Sequence, residues 1–339
     1  RYGYGAGSRV TKGRRVSSRA TAHQYSRKLV ILGRGYFSYP CLPEGYTAGQ
    51  TKGAPTMLNG CAYILTVDVG NTFIRFGLFA EDSAAAQECP LATCEITTPS
   101  SITADEARMR LVQVMAALAA DAGMPGVLVP AAAVLSCVVP ALERPWKAAL
   151  SRTCTGRVLT VGPGLKTGMP VHYDDPAEIG PDRIADAVAT RAVYGSPCIV
   201  IDLGTTTNIE VIDARGTFVG GVIAPGLALG ARSLSAAAAR LPQVEPSAPT
   251  HVIGRNTREA MRSGVVLGEV ARIDGMLDMV LAEMRATKAA GEGSVPIVIT
   301  GDDAEALAAL VGHSLTVDDA LTLRGLAELY HINQKPRRA

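Results

Sequence analysis

The chain has 339 residues, 47% of them hydrophobic, which is enough for one large or two medium cores and excludes an intrinsically disordered protein. Aromatic residues make up only 5%, which argues against a base-stacking platform for nucleic acid. The formal net charge of +2 is unevenly spread: residues 1–60 carry ten Lys/Arg against one acid, Glu44, so the remainder is mildly acidic.

The basic run RVTKGRRVSSRATAHQYSRK has the composition of a transit peptide or a nucleic-acid arm. Met57 offers a start just before the first strand, so residues 1–56 are expected to be a disordered upstream extension rather than either of these. Cysteines 41, 61, 89, 94, 137, 154 and 198 are scattered, with no CxxC pair and no His pairs nearby. They are expected to be reduced thiols of a cytoplasmic protein rather than metal ligands. The uncharged stretch Gly123–Leu142 approaches membrane-spanning length, but Pro125, Pro130 and Pro140 interrupt it, and no transmembrane segment is expected.

From Ala62 the pattern reads strand (YILTVDVG), turn, strand (FIRFGLF) and a third short strand near LATCEITT. SITADEARMRLVQVMAALAADAG then has helical spacing, with Ser101 or Thr103 as the cap. AAAVLSCVV is a buried strand, Pro140 opens a further helix, and RVLTVGPG closes the half. The second half repeats the plan. Strands are expected at Cys198–Asp202, Thr207–Asp213 and Thr217–Ile223, with a hairpin turn at Ala214–Gly216. Helices are expected at Leu227–Arg240 and Thr257–Thr287, followed by the strand VPIVIT, a helix in GDDAEALAALV and a last helix in LRGLAELYHI. Two similar α/β lobes, 61–178 and 179–332, should therefore face each other.

Each half opens with nearly the same turn: VDVGNT at Val67–Thr72 and IDLGTT at Ile201–Thr206. An Asp ending a buried strand, then Gly, then small polar residues, forms a tight hairpin. Gly lets a phosphate approach the backbone, Thr adds a hydroxyl, and Asp can hold a cation or its water. One copy alone is as consistent with an ordinary structural turn. Two copies in matching lobes place a phosphate grip on each side of one cleft, which suits a nucleoside triphosphate with its divalent metal.

This arrangement resembles the actin-like ATPase and sugar-kinase superfamily, whose duplicated ribonuclease-H-like lobes close on ATP. The motifs DVGNT, SCVVP, YDDPAEIGPDRIADAVA, IDLGTTT, GGVIAPG and NTREAMRSGVVLG, in this order over about Tyr63–Tyr330, resemble the type III pantothenate kinase family. The resemblance implies ATP-dependent phosphorylation of pantothenate to 4′-phosphopantothenate, with Mg²⁺ and a monovalent cation, K⁺ or NH₄⁺, in a homodimer.

Carried onto this chain, the first phosphate loop is Asp68, Val69, Gly70, Asn71, Thr72, Phe73, Ile74 and Arg75, with Asp68 near Mg²⁺. Thr205 stands for the ATP-binding Thr of the second turn and Asp202 for the ligand of the monovalent cation. Tyr173, Gly180, Pro181, Asp182, Arg183 and Thr257 match the pantothenate site, Asp182 being the general base. Gly220, Gly221, Pro225 and Gly226 match the lining of the adenosine pocket.

The chemistry of these residues agrees with such roles, because phosphoryl transfer to an alcohol needs an acceptor for the hydroxyl proton and an Arg beside a carboxylate favours its ionised form. On the residues alone, Asp182 also fits an N-cap of a helix Arg183–Tyr194, Arg183 its surface ion-pair partner, Tyr173 a core aromatic and Thr257 a helix start. Asp174, Asp175 and Glu178 read as a solvated loop, and His172 and His251 as incidental.

Two departures from the family pattern stand out: GTTTN, with Asn208 where a Thr is usual, and TGDD at Thr300–Asp303 where TGG is usual. A carboxylate there would repel phosphate. A nucleotide-binding accessory transcription regulator of the same family and a sugar kinase are the competing readings. The retained set Asp68, Asp182, Arg183, Asp202 and Thr205 favours the enzyme over the regulator, and the absence of a Cys/His zinc signature weakens the sugar kinase.

Overall fold

The computed structural model describes residues 62–81, 88–124 and 128–334. The expectations for residues 1–56, and for Cys41 and Cys61, lie outside them.

YILTVDV forms β1 (Tyr63–Val69), buried on both faces although one of them carries Thr66 and Asp68, as befits a central strand of a mixed sheet. It continues through a tight turn into β2 (Phe73–Ala80) and then β3 (Ala92–Thr97), an antiparallel meander. Helix α1 (Ala104–Asp121) starts at Thr103, whose hydroxyl accepts from the Glu106 amide while the Glu106 carboxylate accepts from the Thr103 amide. Its chain returns as β4 (Ala132–Cys137), parallel to β1, and α2 (Pro140–Thr153) leads to β5 (Val158–Thr160), parallel to β4. The sheet order is β3-β2-β1-β4-β5.

After α3 (Pro181–Tyr194) the plan is repeated. β6 (Cys198–Leu203), β7 (Thr206–Ile212) and β8 (Phe218–Pro225) form the second meander. β9 (Ile297–Gly301) lies parallel to β6, and the short β10 (Thr316–Val317) parallel to β9. The order β8-β7-β6-β9-β10 is the first sheet's order again, so the described residues form two ribonuclease-H-like lobes. In both lobes the strand that ends in the Asp turn is central, which carries both turns to one end of their sheets.

Between the sheets pack α3 and the last helix, α8 (Leu321–Ile332), in a core that joins Ile64 and Val134 of the first sheet to Val200 and Val298 of the second. The two helices touch backbone to backbone: a Cβ on Gly325 would lie 1.9 Å from the Ala185 carbonyl oxygen. Only glycine permits that crossing.

Some boundaries differ from expectation. Helix α4 (Leu227–Ala237) ends short of the expected Arg240, and α7 is confined to Ala304–Ala308. The stretch expected as one helix over Thr257–Thr287 divides into α5 (Thr257–Arg262), a π turn at Ser263–Leu267 and α6 (Gly268–Ala286). The Ser263 hydroxyl donates to the Val252 carbonyl at 2.5 Å, which ties the π turn to the loop before it. Among the described residues no helix is long and apolar enough to cross a membrane.

Candidate active site

The turn between β1 and β2 closes with the Gly70 amide donating to the Phe73 carbonyl at 3.0 Å, and the turn between β6 and β7 with the Gly204 amide donating to the Thr206 carbonyl at 3.0 Å. A Cβ on Gly226 would fall 2.3 Å from the Gly204 carbonyl oxygen, so the start of α4 lies directly against the second turn. The two turns meet. Thr72 Oγ1 and Thr205 Oγ1 are 3.2 Å apart, the hydroxyls expected to grip phosphate from opposite lobes. A cavity beside them is lined by Asp68, Gly70, Asn71, Thr72, Phe73, Arg75, Asp182, Asp202 and Thr205.

Within the first loop the residues divide by strand alternation. Val69 and Ile74 are fully buried in the first lobe's core, so only their backbone faces the cleft. Asn71 and Thr72 are exposed at the tip. Asp68 and Arg75 are cross-strand partners on β1 and β2. Asp68 is buried and its Oδ1 has no hydrogen-bond partner; burial, then the nearby Asp182, push its carboxyl up to about 6. A buried carboxylate oxygen left without a donor is suited to a cation.

Among the described residues no three His, Cys, Asp or Glu side chains converge tightly enough to cage a metal. A divalent ion there would combine Asp68 with phosphate oxygens and water, the usual manner of Mg²⁺.

Asp202 ends β6 as Asp68 ends β1, half-open to the cleft. Burial, followed by the carboxylates of Glu210, Asp182 and Asp68, drives it well above the ordinary aspartate range. Its cross-strand partner is Asn208, which takes the position Arg75 has in the first lobe. The Thr206 hydroxyl lies 3.3 Å from Asn208 Oδ1, so the GTTTN departure is absorbed within β7.

Helix α3 is capped by Gly180, with Pro181 at its first position, which places Asp182 inside the first turn. The N-cap role considered for Asp182 therefore belongs to Gly180. Asp182 Oδ1 accepts from the Arg183 amide at 2.8 Å, and burial raises its carboxyl against the lowering effect of that bond and of the Arg183 charge.

Arg183 is not on the surface. Its guanidinium is buried, donating from Nε to Glu210 Oε1 at 2.8 Å and lying 5.8 Å from the Phe218 ring centroid. Tyr173 stands beside it, its ring 6.1 Å from Phe218. Glycine opens the space here too, since a Cβ on Gly221 would meet the Ile209 carbonyl oxygen at 2.0 Å and Arg183 Nη2 at 3.0 Å.

Thr257 is elsewhere: it is the exposed first residue of α5, whose cap is Asn256, and it does not line the cleft.

Two buried acids were missed by sequence reasoning. Glu210, on β7, is fully buried and raised to about 7 by burial in spite of Arg183. Asp186, one helical turn after Asp182, accepts from the Thr322 hydroxyl at 2.7 Å and is held well above the ordinary range by burial and by Asp202. The available signal was a single charge inside an apolar stretch, NIEVI and IADAV.

The TGDD departure is also resolved. Asp302 does not stand free beside the two turns; its Oδ1 accepts from Arg75 Nη2 across the cleft.

The family described as type III pantothenate kinase matches residues 64–279. A type III pantothenate kinase from Koribacter versatilis is 37% identical over 279 residues, covering 81% of this chain and 97% of the relative. One from Symbiobacterium thermophilum is 39% identical over 274 residues, covering 80% and 97%. Another, from Nocardia farcinica, is 39% identical over 284 residues, covering 81% and 99%. With its duplicated turns, its helix-borne Asp182 and a match spanning both lobes, the chain belongs to the type III pantothenate kinase family.

Proposed function

We propose that this protein transfers the γ-phosphoryl group of ATP to the hydroxyl of pantothenate, giving 4′-phosphopantothenate and ADP, with 61–178 and 179–332 as its two lobes. The observation that carries the reading is the meeting of Thr72 and Thr205 beside the carboxylates of Asp68 and Asp182.

Polyphosphate held between two amide-rich turns has its charge countered from both lobes, and phosphoryl transfer is catalysed chiefly by such positioning and electrostatics. Asp182 takes the hydroxyl proton; its raised carboxyl makes it a better proton acceptor than an exposed aspartate, while the Arg183 amide and charge keep it ionised. Arg183 and Tyr173 orient the acid substrate's polar groups, with Glu210 holding the guanidinium in place. Asp68 is the ligand available to Mg²⁺, which supplies charge neutralisation for the phosphates when bound. Asp202 serves K⁺ or NH₄⁺.

The site is completed by a second copy. Thr257 is exposed a few residues after the exposed Val252 (61%) and Ile253 (82%), and among the described residues Cβ atoms on Gly264, Gly268 and Gly275 would meet nothing within 4 Å. A homodimer through these residues covers the apolar side chains and brings Thr257 to the partner's pantothenate.

A coupled ADP-release assay across pantothenate and several sugars tests the reaction. Turnover with pantothenate alone is expected; turnover with sugars alone, or nucleotide binding without turnover, would overturn it in favour of the sugar kinase or the regulator.

A further inference from the structure

We infer that Asp302 is a positioning residue that latches the cleft: it holds Arg75 across the two lobes until an anionic polyphosphate takes its place on the guanidinium. The inference rests on the ATP-cleft reading and adds to it a residue outside the family pattern.

Arg75 belongs to β2 of the first lobe, and its Nε donates to Glu95 Oε2 at 3.0 Å on the neighbouring β3, where the two residues are direct cross-strand partners. Its Nη2 turns to Asp302, 227 residues away in the opposite lobe. One planar guanidinium is thus clasped by carboxylates of both lobes, the geometry to which arginine is suited.

Asp302 is held firmly enough to act. Its amide donates to the Leu203 carbonyl at 3.0 Å, and Gly301 before it adopts φ +98° with no room for a Cβ, which would lie 2.1 Å from the same oxygen. The TGDD loop is therefore fixed to the end of β6, the strand that carries the second turn. Close by, the Thr72 and Thr205 hydroxyls form a second contact between the lobes. Both contacts occupy the positions where phosphate is to be gripped.

Charge decides what displaces the latch. Asp68 and Asp202 both act on Arg75 electrostatically, and Arg183, the other guanidinium of the site, is turned to Glu210. A polyphosphate entering this acidic cleft finds Arg75 as its cation, and Asp302 must give way. The Arg75 and Asp302 side chains are 32% and 43% exposed, so the exchange leaves neither charge stranded in the interior. The latch consequently weakens ATP binding and favours release of the product nucleotide.

The test compares wild type, Asp302→Asn, Asp302→Glu and Arg75→Gln. Amide hydrogen exchange on the unliganded proteins should show residues 70–76 and 300–304 opening severalfold faster in Asp302→Asn and near wild type in Asp302→Glu. Calorimetry with ATP and Mg²⁺ should show about two- to five-fold tighter binding in Asp302→Asn, the range of a part-exposed ion pair. Arg75→Gln should bind ATP more weakly and be insensitive to a further change at Asp302. Unchanged exchange, or ATP binding that weakens in Asp302→Asn, would overturn the latch. A wild type that binds no ATP would instead refute the kinase reading, and the exchange data would still decide whether the latch exists.

Discussion

Thr72 Oγ1 and Thr205 Oγ1, 133 residues apart in sequence, lie 3.2 Å apart across the two lobes. Each hydroxyl belongs to the last residue before the second strand of its strand-turn-strand unit, the second turn being one residue shorter than the first, so the contact joins the two turns of the duplicated fold. Phosphate oxygens entering between the lobes are expected to replace this contact with hydrogen bonds to both turns.

Asp182→Asn removes the proton acceptor but keeps an oxygen for the Arg183 amide. Turnover should fall by about two to four powers of ten, the usual loss for a positioned base. ATP should still bind, because the two turns and the Gly180 cap are untouched, and the melting temperature above neutral pH should hold or rise, since a buried carboxylate whose proton is favoured in the folded state has been removed. Near-normal turnover in this variant would move the base to another residue.

Asp68 links stability to pH. Its folded carboxyl is raised to about 6 from 3.8, so the folded state binds the proton more tightly than the unfolded chain does. The cost is absent below the unfolded value, grows as pH rises between the two, and reaches about 3 kcal/mol above the folded value. Asp68→Asn should therefore raise the melting temperature of the nucleotide-free protein at pH 8 by several degrees, with little effect at pH 4. The same variant should lose the stabilisation that Mg²⁺ with ATP gives the wild type. Scanning calorimetry at the two pH values measures both effects.

Gly226→Ala should disturb the second turn, since the added methyl meets the Gly204 and Thr205 carbonyl oxygens at 2.3 and 2.9 Å. Overpacking against backbone costs about 1–3 kcal/mol, and the shift of Thr205 should weaken ATP binding by roughly tenfold. Unaltered ATP affinity would place the nucleotide away from this turn.

Ile253→Asp sets a charge on an 82% exposed side chain that makes no demand on the monomer's core. Light scattering should show wild-type dimers and monomeric Ile253→Asp, and the monomer should have a raised KM for pantothenate through loss of the partner's Thr257. A wild-type monomer with full activity would end this proposal.

Asp202 gives a check on the monovalent cation. Rates measured at equal ionic strength should be higher in K⁺ or NH₄⁺ than in Na⁺, and Asp202→Asn should abolish the difference. Equal rates in the three salts would remove the cation site from Asp202.

Much of this protein is written locally. DVGNT and IDLGTT specify tight turns because glycine conformation and strand alternation act over a few residues, and their repetition within a strand-and-helix plan that is itself repeated points to two lobes facing one cleft. The capping box at Thr103 was one of two caps open in the sequence, and the structure selects it by the Glu106 contact. The length of the helix after Thr257 was less legible, because the π turn depends on Ser263 reaching back to Val252.

The charges of the site depended on tertiary structure throughout. Nothing within a few residues of Arg183 marks Glu210 as its partner or makes the pair buried; the packing of α3 over β7 does so. Asp302 reads in isolation as an anion opposed to phosphate, yet lobe packing over 227 residues of separation sets it on Arg75. Local stereochemistry thus determined the turns, whereas burial and the meeting of the lobes, which set the field at each carboxylate, decided which charges are paired, as Asp302 is with Arg75, and which keep a buried oxygen without a donor, as Asp68 does.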